Sequence, residues 1–160
     1  MTDRLVFSSH DHCFAFEADF TADLRCIPMA VRRKLDLAGV KLKLVHWHGL
    51  AAAERQRLLA WADDPAAIAD LRQWLLERSR ELPDGPARSL EPALASDWQQ
   101  GERWPEVLIA ACRQLQLSLR PGGWQGLQEL QRFALVKLSH PGHEHRNLPL
   151  ALAEFNLIEP

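Results

Sequence analysis

All seven histidines fall in three clusters, and clustered imidazoles are the side chains in this chain most suited to chemistry. The clusters are His10-Asp11-His12, His46-Trp47-His48 and His140-Pro141-Gly142-His143-Glu144-His145. An H-x-H on an extended segment presents both rings on one side, a spacing that can chelate zinc or iron. Cys13 follows His12, so a mixed nitrogen and sulfur site can be drawn from these residues. The opposing reading is that His beside Gly and Pro bonds a backbone carbonyl or caps a helix. No ligand pair here has the tight spacing of a zinc motif. No cofactor is therefore predicted, and His46, His48, His143 and His145 are the candidates if a metal is bound.

Nucleophilic catalysis finds less. The chain has no G-x-S-x-G, no Gly-rich phosphate loop and no H-E-x-x-H. Cys26 precedes Ile27-Pro28 and reads as a small buried apolar residue. Glu17 and Asp19 are two apart, either an acid/base pair or two carboxylates on an exposed face. A basic run is more informative. Arg25, Arg32, Arg33, Lys34, Lys41 and Lys43 are opposed in that stretch only by Asp23 and Asp36. Such a patch meets an acidic partner or anion, or is simply a solvated helix face. Near Ile109, Val107-Leu108-Ile109-Ala110-Ala111-Cys112 is apolar almost all round, which predicts a helix fully buried or covered by a partner.

The elements that position these residues follow from periodicity. Pro28 suits the first turn of a helix, Val31, Leu35 and Ala38 give its apolar stripe, and Gly39 stops it. Val40-Lys41-Leu42-Lys43-Leu44 alternates and predicts an extended piece. A second helix is expected from Leu50 through Leu58 and Trp61. Asp63-Asp64-Pro65 then reads as a cap and first turn for a third helix through Ile68, Leu71, Leu75 and Leu82. Residues 83–104, with three prolines, read as a linker, with Trp98 and Trp104 pinning it down. Alternating Phe14, Phe16 and Phe20 predict an extended N-terminal segment, 1–20.

The plan then recurs. Laying 28–62 over 105–139 at a constant shift of 77 matches Pro28 with Pro105, Leu42 with Leu119 and Trp47 with Trp124. It also matches Gly49 with Gly126, Leu50 with Leu127, Arg55 with Arg132 and Leu58 with Leu135. Average composition gives about two or three identities over such a stretch; these seven include a Trp, a Gly and a Pro. The expected fold is mostly α: two tandem helix–loop–helix units, about 28–82 and 105–157, related by a pseudo-two-fold within one domain. The alternating pieces at 40–44 and 117–119 are expected to pair. The outline resembles paired EF-hands, but neither loop has the acidic pattern calcium needs. Residues shared by both copies default to structure, and His46 and His48, replaced by Gly123 and Gln125 in the second copy, are not required by the fold.

A net charge of −2 argues against general nucleic-acid binding. The first ten residues lack the apolar core of a signal peptide, and no run is long enough to cross a bilayer. Cys13, Cys26 and Cys112 are odd in number and widely spaced, as for reduced thiols in a cytoplasmic protein.

Several strings are more specific than any of these patterns. They are Phe14-x-Phe16-Glu17-x-Asp19-Phe20, Leu24-Arg25-Cys26-Ile27-Pro28-Met29, Lys34-Leu35-Asp36 and Gly39-Val40-Lys41-Leu42-Lys43-Leu44-x-His46-Trp47-His48. Leu130-Gln131-Arg132-Phe133-Ala134-Leu135-Val136-Lys137-Leu138-Ser139, followed by His143-Glu144 and Asn147, completes the set. Together they resemble the nitrate reductase-associated protein family, small soluble bacterial proteins. The resemblance implies a setting, nitrate assimilation, rather than a reaction. Two functions are expected from it and from the residues. One is a non-enzymatic accessory protein that binds nitrate reductase or a molybdenum-cofactor maturation factor through a helical surface, as monomer or homodimer. The other is a small metal- or cofactor-binding protein using the His clusters.

Overall fold

The computed structural model describes residues 10–141 and 145–159, and the chain divides into two compact units, Met1–Leu94 and Ala95–Pro160. The described residues form eight α-helices and a two-stranded antiparallel sheet.

In the first unit a 3-10 turn at Ala15–Glu17 leads into a single helical turn, α1 (Ala18–Thr21). From Ala15 on, these turns replace the extended segment that the alternating phenylalanines predict; its residues 1–9 lie outside the described residues. Glu17 is the reason. Its carboxylate accepts the Phe14 N–H at 3.0 Å and the Met29 N–H at 3.0 Å, folding the chain back on itself. Phe14 and Phe16 are buried all the same, their rings stacked 5.4 Å apart.

Helix α2 (Met29–Ala38) follows Pro28, which sits at the N-cap with extended backbone. Val31, Leu35 and Ala38 bury one face. Gly39 ends the helix in the left-handed region, φ 72°, with its N–H directed at the Leu35 and Asp36 carbonyls. Strand β1 (Val40–Lys41) follows. Its partner is β2 (Arg88–Ser89), with Val40 opposite Ser89 and Lys41 opposite Arg88. The expected pairing of 40–44 with 117–119 is therefore corrected. The 117–119 backbone is taken up locally. Gln116 turns at φ 59°, Leu117 N–H bonds the Cys112 carbonyl at 2.9 Å, and Arg120 N–H bonds that of Leu157 at 2.8 Å. Alternation in 40–44 survives as burial of Val40 and Leu42 beneath exposed Lys41 and Lys43. It stops at Leu44, the first residue of α3 (Leu44–Gly49), so His46 and His48 are helical, not extended.

Helix α4 (Ala52–Ala60) and the longer α5 (Pro65–Arg78) complete this unit. The Asp64 carboxylate accepts the Ala67 N–H at 3.0 Å and Pro65 takes the first helical position. Helix α2 packs on α5, and Val31, Leu35, Trp47, Leu58, Leu71 and Leu75 lie in one apolar core. The segment read as a linker supplies β2, and further on a 3-10 turn (Asp97–Gln99) that buries Trp98.

In the second unit α6 (Glu106–Gln114) buries Leu108, Ala111 and Cys112. Ala110 is exposed and Val107 and Ile109 are half-buried, so the stretch that reads as apolar all round is a one-sided helix. Helix α7 (Glu129–Ser139) is the centre of this unit, packed against α6, α8 (Leu148–Glu154) and the Asp97–Gln99 turn. Trp98 meets Phe133 edge-on with centroids 5.0 Å apart.

Each unit contains the same small device. In the first, fully buried Trp47 donates its indole N–H to the Leu24 carbonyl at 2.7 Å. Arg55 lies over the ring at 6.0 Å and donates to the Trp47 and His48 carbonyls. In the second, fully buried Trp124 donates to the Gln100 carbonyl at 2.8 Å. Arg132 lies over that ring at 5.9 Å and donates to the Trp98 and Leu127 carbonyls. The guanidinium thus ties a buried indole to carbonyls at the ends of short helices and 3-10 turns.

Candidate functional site

Several ionisable groups gather where α2, α4 and the N-terminal turns of the first unit meet. Lys34 is fully buried, although it belongs to the basic run read as surface. Its ammonium donates to the Leu58 carbonyl at 3.2 Å and the Leu59 carbonyl at 2.6 Å, capping the last turn of α4. Arg33 beside it bonds Asp63 at 3.0 Å, and the His10 ring meets the Ala60 carbonyl at 3.2 Å. Burial pushes the Lys34 ammonium down from about 10.5 to about 8, against the pull of the Asp11 and Asp63 carboxylates. Desolvation, then the Glu17 and Asp11 carboxylates, push the Cys13 thiol up, with Lys34 opposing. Cys112 is pushed up to about 11 by burial. Both remain thiols at neutral pH, which leaves them poor nucleophiles.

The Lys34 shift has a consequence for stability. Its folded pKa lies below the ordinary value, so between about pH 8 and 10.5 the unfolded chain holds more protons than the folded one. Stability from this group therefore rises with pH across that window; below it the cost of burying the charge is fully present. Raised thiol pKa values act in the opposite sense above about pH 9. The comparison is thus wild type minus Lys34→Met: the difference in urea midpoint should shift in favour of the wild type from pH 8 to 10.5. A constant difference would show that Lys34 titrates normally.

Four of the histidines, His10, His46, His48 and His145, are spent on the backbone. His46 is buried; its Nδ1 accepts the Lys43 N–H at 3.1 Å, and Nε2 faces the Gly85 carbonyl at 2.9 Å. A carbonyl only accepts, so this is the neutral tautomer with hydrogen on Nε2. His48 Nε2 meets the Arg25 carbonyl at 2.9 Å, and His145 Nε2 meets the Ser139 and His140 carbonyls at 3.2 and 3.1 Å. His143 lies outside the described residues. Among those described, no three His, Cys, Asp or Glu side chains converge in a way that could hold a metal ion. Replacing His46 by Phe leaves two polar backbone groups without their partner and should cost about 1–3 kcal/mol in urea denaturation.

The other basic residues separate on the structure. Arg32 donates to the Ile27 carbonyl at 3.1 Å and Arg25 to that of Asp19 at 2.9 Å. Lys43 bonds Asp84 at 2.7 Å. Of the six read as a patch, Lys41 alone has no side-chain hydrogen bond or ion pair among the described residues, and it is exposed. Directly across the ribbon stands Arg88, also exposed and with no side-chain partner among the described residues. The sequence gives no sign of that pairing, because register across two short strands is set by the fold. Ile109 is half-buried on α6. Near the start of α6, Asp97, Gln100, Arg103, Trp104, Pro105 and Glu106 line a polar cleft of about 280 Å³. Its lining includes two carboxylates and a guanidinium, and Trp104 rests against Trp124 with ring centroids 5.7 Å apart.

No helix among the described residues is long and apolar enough to cross a membrane. A family model, that of conserved nitrate reductase-associated proteins, matches residues 13–155. The match covers both units, and the chain belongs to this family. No curated protein matches the chain, and no solved structure does.

Proposed function

We propose that this member of the nitrate reductase-associated family is a non-enzymatic accessory protein of nitrate assimilation. It acts in the cytoplasm by binding nitrate reductase or a factor that matures its molybdenum cofactor. The family membership supports the setting. One observation carries the mode of action: the side chains with chemical potential are used on the protein's own backbone. Glu17 caps two N–H groups, Lys34 caps α4, and His46 bridges α3 to Gly85. Groups held in this way build a rigid surface rather than an open reaction centre. The repeated tryptophan–arginine device supports a second element of this reading, that the two units descend from one duplicated helix–loop–helix plan.

The test is growth. Cells lacking the gene should grow slowly with nitrate as nitrogen source and normally with ammonium, and the wild-type gene should restore growth on nitrate. Equal growth of the deletion strain on both sources would refute the proposed role.

A further inference from the structure

The β1–β2 ribbon carries a feature that folding alone disfavours. Lys41 and Arg88 stand directly opposite each other in the antiparallel register. Side chains at such positions share one face, with Cβ atoms about 4.5–5.5 Å apart, and like charges placed there repel. Both are exposed, and neither side chain has a hydrogen bond or ion pair among the described residues. The cation next along, Lys43, is neutralised by Asp84 at 2.7 Å. The opposite face of the ribbon is committed to the interior through Val40.

The ribbon is also held firmly. Arg72 on α5 donates to the Ala38 and Gly39 carbonyls, both at 2.8 Å, and its other terminal nitrogen bonds the Ser89 hydroxyl. Leu90 N–H bonds the Gly39 carbonyl at 2.8 Å, extending the ladder by one step. By the period of two, Leu90 shares the outward side with Arg88. Leu90 is 43% exposed, and Leu44 and Val45, just beyond Lys43, are 46% and 42% exposed.

We propose that the outward face of this ribbon docks an acidic segment of a protein partner, whose carboxylates neutralise Lys41 and Arg88. This rests on the accessory role proposed above and names the surface that serves it. Charge complementarity selects the occupant. An extended segment places carboxylates at alternate residues on one side, about 6–7 Å apart, a spacing that two long cationic side chains can span. The exposed leucines and valine beside the cations favour a polypeptide over a small free anion, which has no apolar surface to offer them.

The test uses the whole protein and a ten-residue peptide alternating Glu with Leu, with a Gln version and inorganic phosphate as comparisons. Amide NMR shifts on titration should centre on residues 40–42 and 88–90. Affinity should fall about tenfold or more in the K41E/R88E double variant, and should also fall as salt is raised from 50 to 300 mM (about 14 to 6 Å of screening length). The K41E single variant places Glu opposite Arg88, so its Tm should rise by about 1–3 °C while its binding weakens. That pairing of outcomes separates a binding role from damage to the fold. An R80E/R113E variant, with the same change in net charge at exposed sites elsewhere, should bind as wild type does. Equal binding of the Gln peptide, equal loss in R80E/R113E, or phosphate giving the same shifts at the same affinity would overturn the proposal. In cells, full rescue of nitrate growth by K41E/R88E would overturn the surface while leaving the accessory role standing. Normal growth of the deletion strain would remove that role without touching the peptide result.

Discussion

A Gly39→Ala variant should lose about 2–6 kcal/mol of stability, measured by urea denaturation followed by circular dichroism. Two independent costs add. Gly39 sits at φ 72°, where an L side chain carries strain of about 1–3 kcal/mol. An added Cβ would also meet the Leu90 carbonyl oxygen in hard contact, the Arg72 Nη1 at 2.8 Å and the Pro92 nitrogen at 3.0 Å. Two of these neighbours are backbone, so relief requires the ribbon to move off α2, and overpacking of this kind costs about 1–3 kcal/mol. Gly126→Ala is the internal control. A Cβ there meets nothing within 4 Å and the backbone has no positive φ, so the change should stay within about 0.5 kcal/mol. Similar losses at both glycines would show that the close approach of β2 to Gly39 is not what the side chain opposes.

Trp47→Ala and Trp124→Ala should each cost about 3–5 kcal/mol, because each removes a fully buried ring from a packed interior. The cost has two parts that a second substitution separates. Phe keeps most of the apolar volume but cannot donate to the Leu24 or Gln100 carbonyl, so Trp47→Phe and Trp124→Phe should lose only about 1–3 kcal/mol. Removing Arg55 after Trp47, or Arg132 after Trp124, should then cost less than removing it alone, since each guanidinium lies about 6 Å from its ring. Additive losses in either unit would mean that its Arg acts only on the backbone carbonyls.

The helices were largely legible because their signals are local. Pro28, the stripe of Val31, Leu35 and Ala38, and Gly39 mark α2 from end to end, and Asp64-Pro65 marks the start of α5. Three things were not legible. Phenylalanine alternation near the N-terminus imitates a strand, and only the reach of Glu17 to Met29, twelve residues on, shows why the chain turns instead. The partner of β1 lies in a proline-rich stretch with little strand character, and a two-residue strand has no periodicity to detect. Lys34 looks like the rest of Arg32-Arg33-Lys34, yet one residue's difference in helical phase turns it inward onto the Leu58 and Leu59 carbonyls. The candidate docking pair depends on that same hidden register. Lys41 could be read as a surface cation, but nothing in the sequence places Arg88 across from it.

The buried amine of Lys34 also gives the protein a chemical clock. An acylating reagent attacks a neutral amine that it can touch, so Lys41 on the open ribbon should acquire an acyl group at once. Lys34, with no surface exposed, should acquire one only when the end of α4 lets go. Once acylated it can no longer return as a cation to its two carbonyls, and each opening caught by the reagent becomes permanent. The rate at which mass accumulates at Lys34 therefore counts local openings of the first unit in a molecule that otherwise remains folded.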